Sequence, residues 1–152
     1  MGCDIHSYVE CQNNDKSWTP EPWEVVTQYE DGPFGWQSYS LFGWLADVRN
    51  LSEVPPIASP RGLPVDVSGT VRERYDYWDG DGHSHTWLAV DELLAYDYDS
   101  TFEDRRVTPG YTYIGRTGTI RDFLGDDFFR DLDTLRTLNA QHPTRVVFWF
   151  DN

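Results

Sequence analysis

The chain has 152 residues, 39% of them hydrophobic and 16% aromatic, which suits one domain over residues 1–152 with its own packed core and is too aromatic for a disordered chain. Twelve basic residues against 26 acidic ones give a net charge of −14. That excludes a grip on duplex nucleic acid through its phosphates and disfavours an anionic membrane surface. With no apolar run near the ~20 residues of a membrane span and no signal-peptide core, a soluble, cytoplasmic protein is expected.

Residues 3–11 alternate. Cys3, Ile5, Ser7, Val9 and Cys11 fall on one face, and Asp4, His6, Tyr8 and Glu10 on the other. This predicts a strand with one face on a core and the other lining a cleft or meeting solvent. Cys3 and Cys11 stand too far apart along such a strand for a disulfide, so free thiols are expected. Residues 12–20 read as a turn and 22–29 as a second strand pairing with the first. Gly32, Pro33 and Gly35 then break the chain.

The spacing of Leu41, Leu45 and Val48 predicts a helix over 38–49 with Ser38 as its N-cap. Residues 50–68 carry four prolines and read as loop. Val71, Tyr75 and Trp78 favour a helix over 69–78, and 79–83 is a Gly-Asp-Gly turn. Residues 84–90 read as an extended segment feeding a helix at 91–97. Residues 106–116 are strand or loop, and Thr119 with Asp122 marks the start of a short helix. Residues 126–140 are the strongest helix, with Phe128, Leu132, Leu135 and Leu138 in a stripe. Residues 144–150 are an apolar strand suited to the centre of a sheet. The fold class is α+β: a small, mostly antiparallel sheet with packed helices, the N- and C-terminal strands adjacent.

Three constellations could carry chemistry. Asp4 and His6 share a strand face and could hold a divalent metal ion or act as a base and its orienter. His83 and His85, framed by Asp79 and Asp81, would project to one side of an extended segment, as two metal ligands or as an acid and a base. The Asp79–Gly82 turn lacks the spacing and terminal Glu of a calcium-binding hand. Arg49 and Asn50 at the end of the first helix, and Arg61 in its Pro/Gly frame, could grip phosphate or carboxylate. Trp87 and Trp44 could stack on a base, although core packing is the commoner use of aromatics in such segments. There is no P-loop, dinucleotide fingerprint or nucleophile elbow.

The opening Met1-Gly2-Cys3-Asp4-Ile5-His6 resembles a family of uncharacterised phage and bacterial proteins that begin the same way. Leu45-Ala46-Asp47-Val48-Arg49-Asn50, Pro60-Arg61-Gly62-Leu63-Pro64 and His83-Ser84-His85-Thr86-Trp87-Leu88 resemble its other blocks. The likeness covers roughly the first 95 residues and weighs on His83 more than on His85. It implies a phage setting and so a host-cytoplasmic location; action on host defence is expected by analogy with other phage proteins of this size.

Together the motifs predict a phosphodiesterase or nucleotide hydrolase acting on a small signalling nucleotide. His6, His83 and His85 would be the catalytic groups, and Asp4, His6 and His83 the ligands of any divalent metal ion. Arg49, Asn50, Arg61 and Trp87 would bind the substrate, with Arg61 serving ligand rather than stability. The alternative is a non-catalytic binder that sequesters a nucleotide or blocks a host defence protein with its acidic surface.

Overall fold

In a computed structural model, residues 2–12, 22–26, 32–78, 80–107 and 115–152 are described. Eleven elements follow in chain order. They are β1 (Asp4–Gln12), β2 (Trp23–Val25), α1 (Tyr39–Ala46), α2 (Gly69–Asp76), β3 (His83–Ala89), α3 (Val90–Ala95), β4 (Thr101–Asp104), β5 (Arg116–Thr119), α4 (Ile120–Leu124), α5 (Asp126–Gln141) and β6 (Thr144–Asp151). The fold is α+β. Four strands form an antiparallel sheet in the order β2-β1-β6-β3, while β4 and β5 form a second, two-stranded one. The first and last strands are neighbours, paired from Asp4↔Asp151 to Cys11↔Thr144. Among the described residues no helix is long and apolar enough to cross a membrane.

β6 is buried from Thr144 to Phe150, because both faces of the sheet are covered. On one face Ile5, Val9, Leu88, Phe148 and Phe150 pack with Phe42, Leu45, Leu93, Phe128, Leu132 and Leu135 from α1, α3 and α5. The stripe expected over residues 126–140 faces this core through Phe128, Leu132 and Leu135. Ser7 also lies on this face, and its hydroxyl donates to the Pro33 carbonyl at 2.5 Å, which satisfies a polar group inside the core. On the other face Tyr8, Val147 and Trp149 form a smaller cluster with Val71 of α2, flanked by Tyr75, Trp78 and Trp87. α2 thus covers the polar face of β1 at Tyr8 and Glu10, while Asp4 is exposed and His6 lines a cleft, as expected of an Asp/His face. Glu10 is fully buried.

Several boundaries differ from the expected ones. α1 stops at Ala46, because Asp47 turns into the left-handed region (φ 59°) and its N–H closes the helix on Phe42 and Gly43. Arg49 and Asn50 thus lie in the following loop rather than on the helix. β2 is short, and positions 27–29 of the expected second strand lie outside the described residues, as do the turn at 13–20 and residues 108–114 of the expected strand or loop. β4 had no expected counterpart. Caps read from the sequence hold their helices: Ser38 accepts from the Leu41 N–H, and Thr119 from the Asp122 N–H. Cys3 and Cys11 are free thiols. Burial raises both their pKa values, and the neighbouring Arg49 only partly offsets this for Cys3.

Candidate functional site

The register of three strands decides which nominated residues can meet. Directly paired residues of an antiparallel sheet point to the same face. His6 pairs with Trp149 and so lies on the α2 face. His83 pairs with Phe150, which pairs with Ile5, so His83 lies on the larger core face and stacks on the Phe150 ring. β6 runs between them, and the two imidazoles leave the sheet on opposite sides.

A β-bulge then separates His83 from His85. His83 pairs with Phe150 and Thr86 with Phe148, so Ser84 and His85 together face the single residue Trp149. Ser84 takes a left-handed φ of 55° to make the extra step. This inverts the period-two expectation of one shared side. His85 emerges on the α2 face, where its Nδ1 hydrogen-bonds the Tyr75 hydroxyl at 3.1 Å. The Nδ1 of His83 meets the Ser84 hydroxyl at 3.1 Å, and its buried Nε2 has no hydrogen-bond partner among the described residues. Asp4, His6 and His83 do not form one ligand set. Among the described residues no group of three His, Cys, Asp or Glu side chains is placed to hold a metal ion.

His6 stands at the end of the sheet where Asp4 and Asp151 pair. Its Nε2 is 2.8 Å from Asp151 Oδ2, with side chains 17% and 16% exposed. The other oxygen of Asp151 accepts from the Asp4 backbone N–H at 3.4 Å. Asp4 and Asp151 face each other directly across the strands, an unfavourable pairing of like charges. His6 draws one carboxylate diagonally away, and the Gln37 amide donates to the other at 3.2 Å. The His6 ring packs on Trp78, centroids 4.2 Å apart, and on Trp149 at 6.0 Å.

Beside His6 a cleft of about 800 Å³ opens between β1 and α2, lined by His6, Tyr8, Thr70, Glu73, Arg74, Tyr77 and Trp78. The volume is in the range of small-molecule sites. Its helical wall follows from the 3.6-residue period. Val71 and Tyr75 turn toward the sheet, while Thr70, Glu73, Arg74 and Tyr77 fall at i, i+3, i+4 and i+7 on the adjoining stripe. A guanidinium, a carboxylate and hydroxyls thus line one side of an aromatic slot, with an imidazole on the other.

The other nominated residues sit elsewhere and are held by the protein itself. Arg61 makes a two-point pair with Glu92, NH1–Oε2 at 2.8 Å and NH2–Oε1 at 2.5 Å, donates to the Trp87 carbonyl, and stacks over the Trp87 ring at 5.0 Å. The Arg61 guanidinium holds the Glu92 carboxyl below its usual range. Its backbone N–H reaches Thr86 Oγ1 at 2.9 Å, and the Gly62 N–H donates to the His85 carbonyl at 3.0 Å. The Pro/Gly frame thus stitches the loop to β3. Trp87 lies between Arg61 and Arg145, whose guanidinium is 5.8 Å away. Asn50 binds Asp47 Oδ1 and both the carbonyl and N–H of Val54. Arg49, with φ 49°, reaches Asn152 Oδ1 at 3.3 Å, at the same sheet end as Asp4 and His6.

The sequence reading did not find Asp151, Tyr8, Thr70, Glu73, Arg74 or Tyr77 as site residues. The signal for the helical ones was present: once Val71, Tyr75 and Trp78 define the packed stripe, the next stripe follows. Asp151 becomes visible only once β1 and β6 are paired. Compared with known protein families, curated proteins and solved structures, the chain matches none.

Proposed function

We propose that the β1–α2 cleft binds a nucleotide-type ligand and hydrolyses a phosphoester in it, with His6 as the proton-transferring group. The observation that carries this reading is that His6, which lines the cleft, is coupled to Asp151, 2.8 Å between Nε2 and Oδ2. With Nε2–H donated to the carboxylate, Nδ1 keeps its lone pair and has no partner among the described residues. Nδ1 takes a proton from water as the water oxygen bonds to phosphorus. Asp151 stabilises the imidazolium. The ester P–O bond then breaks, and the proton passes from Nδ1 to the leaving oxygen. Arg74 supports the phosphoryl oxygens, and Tyr77 and Trp78 offer ring surfaces to the base.

The test is hydrolysis of linear and cyclic nucleotides by the purified protein. His6→Ala should lower turnover at least ~100-fold, the usual share of a general base, with melting unchanged within a few degrees. Arg74→Ala should mainly weaken binding. Undiminished turnover in His6→Ala overturns the reading. A second reading, sequestration without turnover, is favoured by one observation: of the three nominated histidines only His6 lines the cleft. Under it, nucleotides bind and are recovered intact.

A further inference from the structure

We infer that the cleft is matched to a nucleotide of low charge, a phosphodiester monoanion such as a cyclic nucleotide, and discriminates against polyphosphates through Glu73. This rests on the nucleotide reading above and concerns which members of that class enter. Among the described lining residues Arg74 is the single Lys or Arg, and Glu73 stands next to it. The Glu73 carboxylate makes no hydrogen bond or ion pair with the described residues. The lining side chains thus sum to about zero charge with His6 neutral. Directly behind His6 lie two further carboxylates, Asp151 and Asp4.

Polyphosphate sites need more positive charge than this: several basic groups, a metal ion or an open helix N-terminus. The start of α2, the helix that forms the cleft wall, is already closed by the protein's own groups. Ser68 Oγ accepts from the Val71 N–H at 3.3 Å, and buried Glu10 Oε2 accepts from the Ser68 N–H at 2.8 Å. A chain carrying −14 also repels each added ligand charge. A phosphodiester brings one negative charge, a monoester between one and two at neutral pH, and a triphosphate more than either. Against a lining near neutral the phosphodiester adds the least uncompensated charge, and the Arg74 guanidinium can contact it. Glu73 and Thr70 can hydrogen-bond the sugar and base, and Glu73 repels the second and third phosphates.

The experiment is calorimetric titration of the full chain at low salt with a 3′,5′-cyclic mononucleotide, the 5′-monophosphate and the 5′-triphosphate of the same nucleoside. The cyclic form should bind about tenfold or more tighter than the triphosphate, and Glu73→Gln should narrow that gap severalfold with melting unchanged. Equal or tighter binding of the triphosphate overturns the charge inference and leaves the nucleotide reading standing. A gap that Glu73→Gln does not narrow overturns the role given to Glu73. Failure of all three to bind overturns the nucleotide reading and the inference with it.

Discussion

One sheet face carries an acid–base couple at each end, and the two differ in how completely the protein uses them. At one end Glu10 and Arg145 pair at 2.7 Å with side chains 0% and 5% exposed. Both Glu10 oxygens are taken, by Arg145 and by the Ser68 N–H. Arg145 also reaches Asp66 and stacks on Trp23 at 3.8 Å. Burial pushes the Asp66 carboxyl up, but Arg145 and the Trp23 indole N–H outweigh it and hold it below the usual range. At the other end His6 and Asp151 are partly exposed, His6 lines a cleft, and its second imidazole nitrogen has no partner among the described residues. A saturated, buried couple supports the fold, whereas an unsaturated one on a cleft wall can do chemistry.

The sharpest way to break this contrast is at the sealed end. Glu10→Ala leaves the Arg145 charge buried with only the half-exposed Asp66, and should cost about 3–5 kcal/mol of stability, as for one partner removed from a buried pair. Chemical denaturation measures it. A loss under about 1 kcal/mol would show that Arg145 re-solvates, and the two ends would then differ less than argued.

Asn50 tests the same rule away from the sheet. Asn50→Ala removes the three bonds to Asp47 and Val54 and should cost about 1–3 kcal/mol without altering ligand affinity. Gly43→Ala should damage the same loop, because its added Cβ would sit 2.7 Å from Asn50 Oδ1 and 3.2 Å from Asn50 Cα. Weakened ligand binding at full stability in Asn50→Ala would return Asn50 to the substrate-binding role read from the sequence.

Arg61 is a milder case, because its pair with Glu92 is about a third exposed. Arg61→Ala should cost about 1 kcal/mol at neutral pH, after allowing for solvent screening. The sign of the pH dependence follows from the depressed Glu92 carboxyl. Its contribution is present above the unfolded-state value, about pH 4.3, and is lost as the pH falls through the lower folded-state value. Wild type and Arg61→Ala should therefore differ at pH 7 and converge as the pH falls through the depressed Glu92 value. Urea midpoints across that range report it, and a gap that widens in acid contradicts the assignment. The smallest stability effect is expected for His6→Ala, within about 1 kcal/mol, since a partly exposed ring is lost and Asp151, itself partly exposed, keeps the Asp4 N–H.

Hydrophobic period carried much of the fold into view. The alternation over residues 3–11, the stripe through Phe128, Leu132 and Leu135, and the apolar run 144–150 lead to β1, α5 and a central β6. They also lead to the β1–β6 pairing. What stayed hidden depends on long-range register or on single backbone steps. Thr101–Asp104 is too short and polar to stand out as a strand. The left-handed Ser84 inserts one residue into β3 and moves His83 and His85 to opposite faces, which no count by twos reveals. Asp47 ends α1 early because Asn50 and the loop beyond hold it. His6 was legible as a candidate from its strand face. Its partner was not, since Asp151 meets it only through pairing of the chain's first and last strands. Arg61 misled because a rigid frame around a charge fits a ligand and an internal clamp equally well, and only Glu92 across the loop separates the two.

The account is tested most directly by following the imidazole NMR signals of His6, His83 and His85 while the protein is titrated with a cyclic mononucleotide. The prediction is that His6 shifts in step with ligand saturation, whereas His83, on the opposite face against Phe150, stays in place. A ligand that saturates while moving His83 and leaving His6 untouched would contradict the assignment of function to the His6–Asp151 end of the sheet.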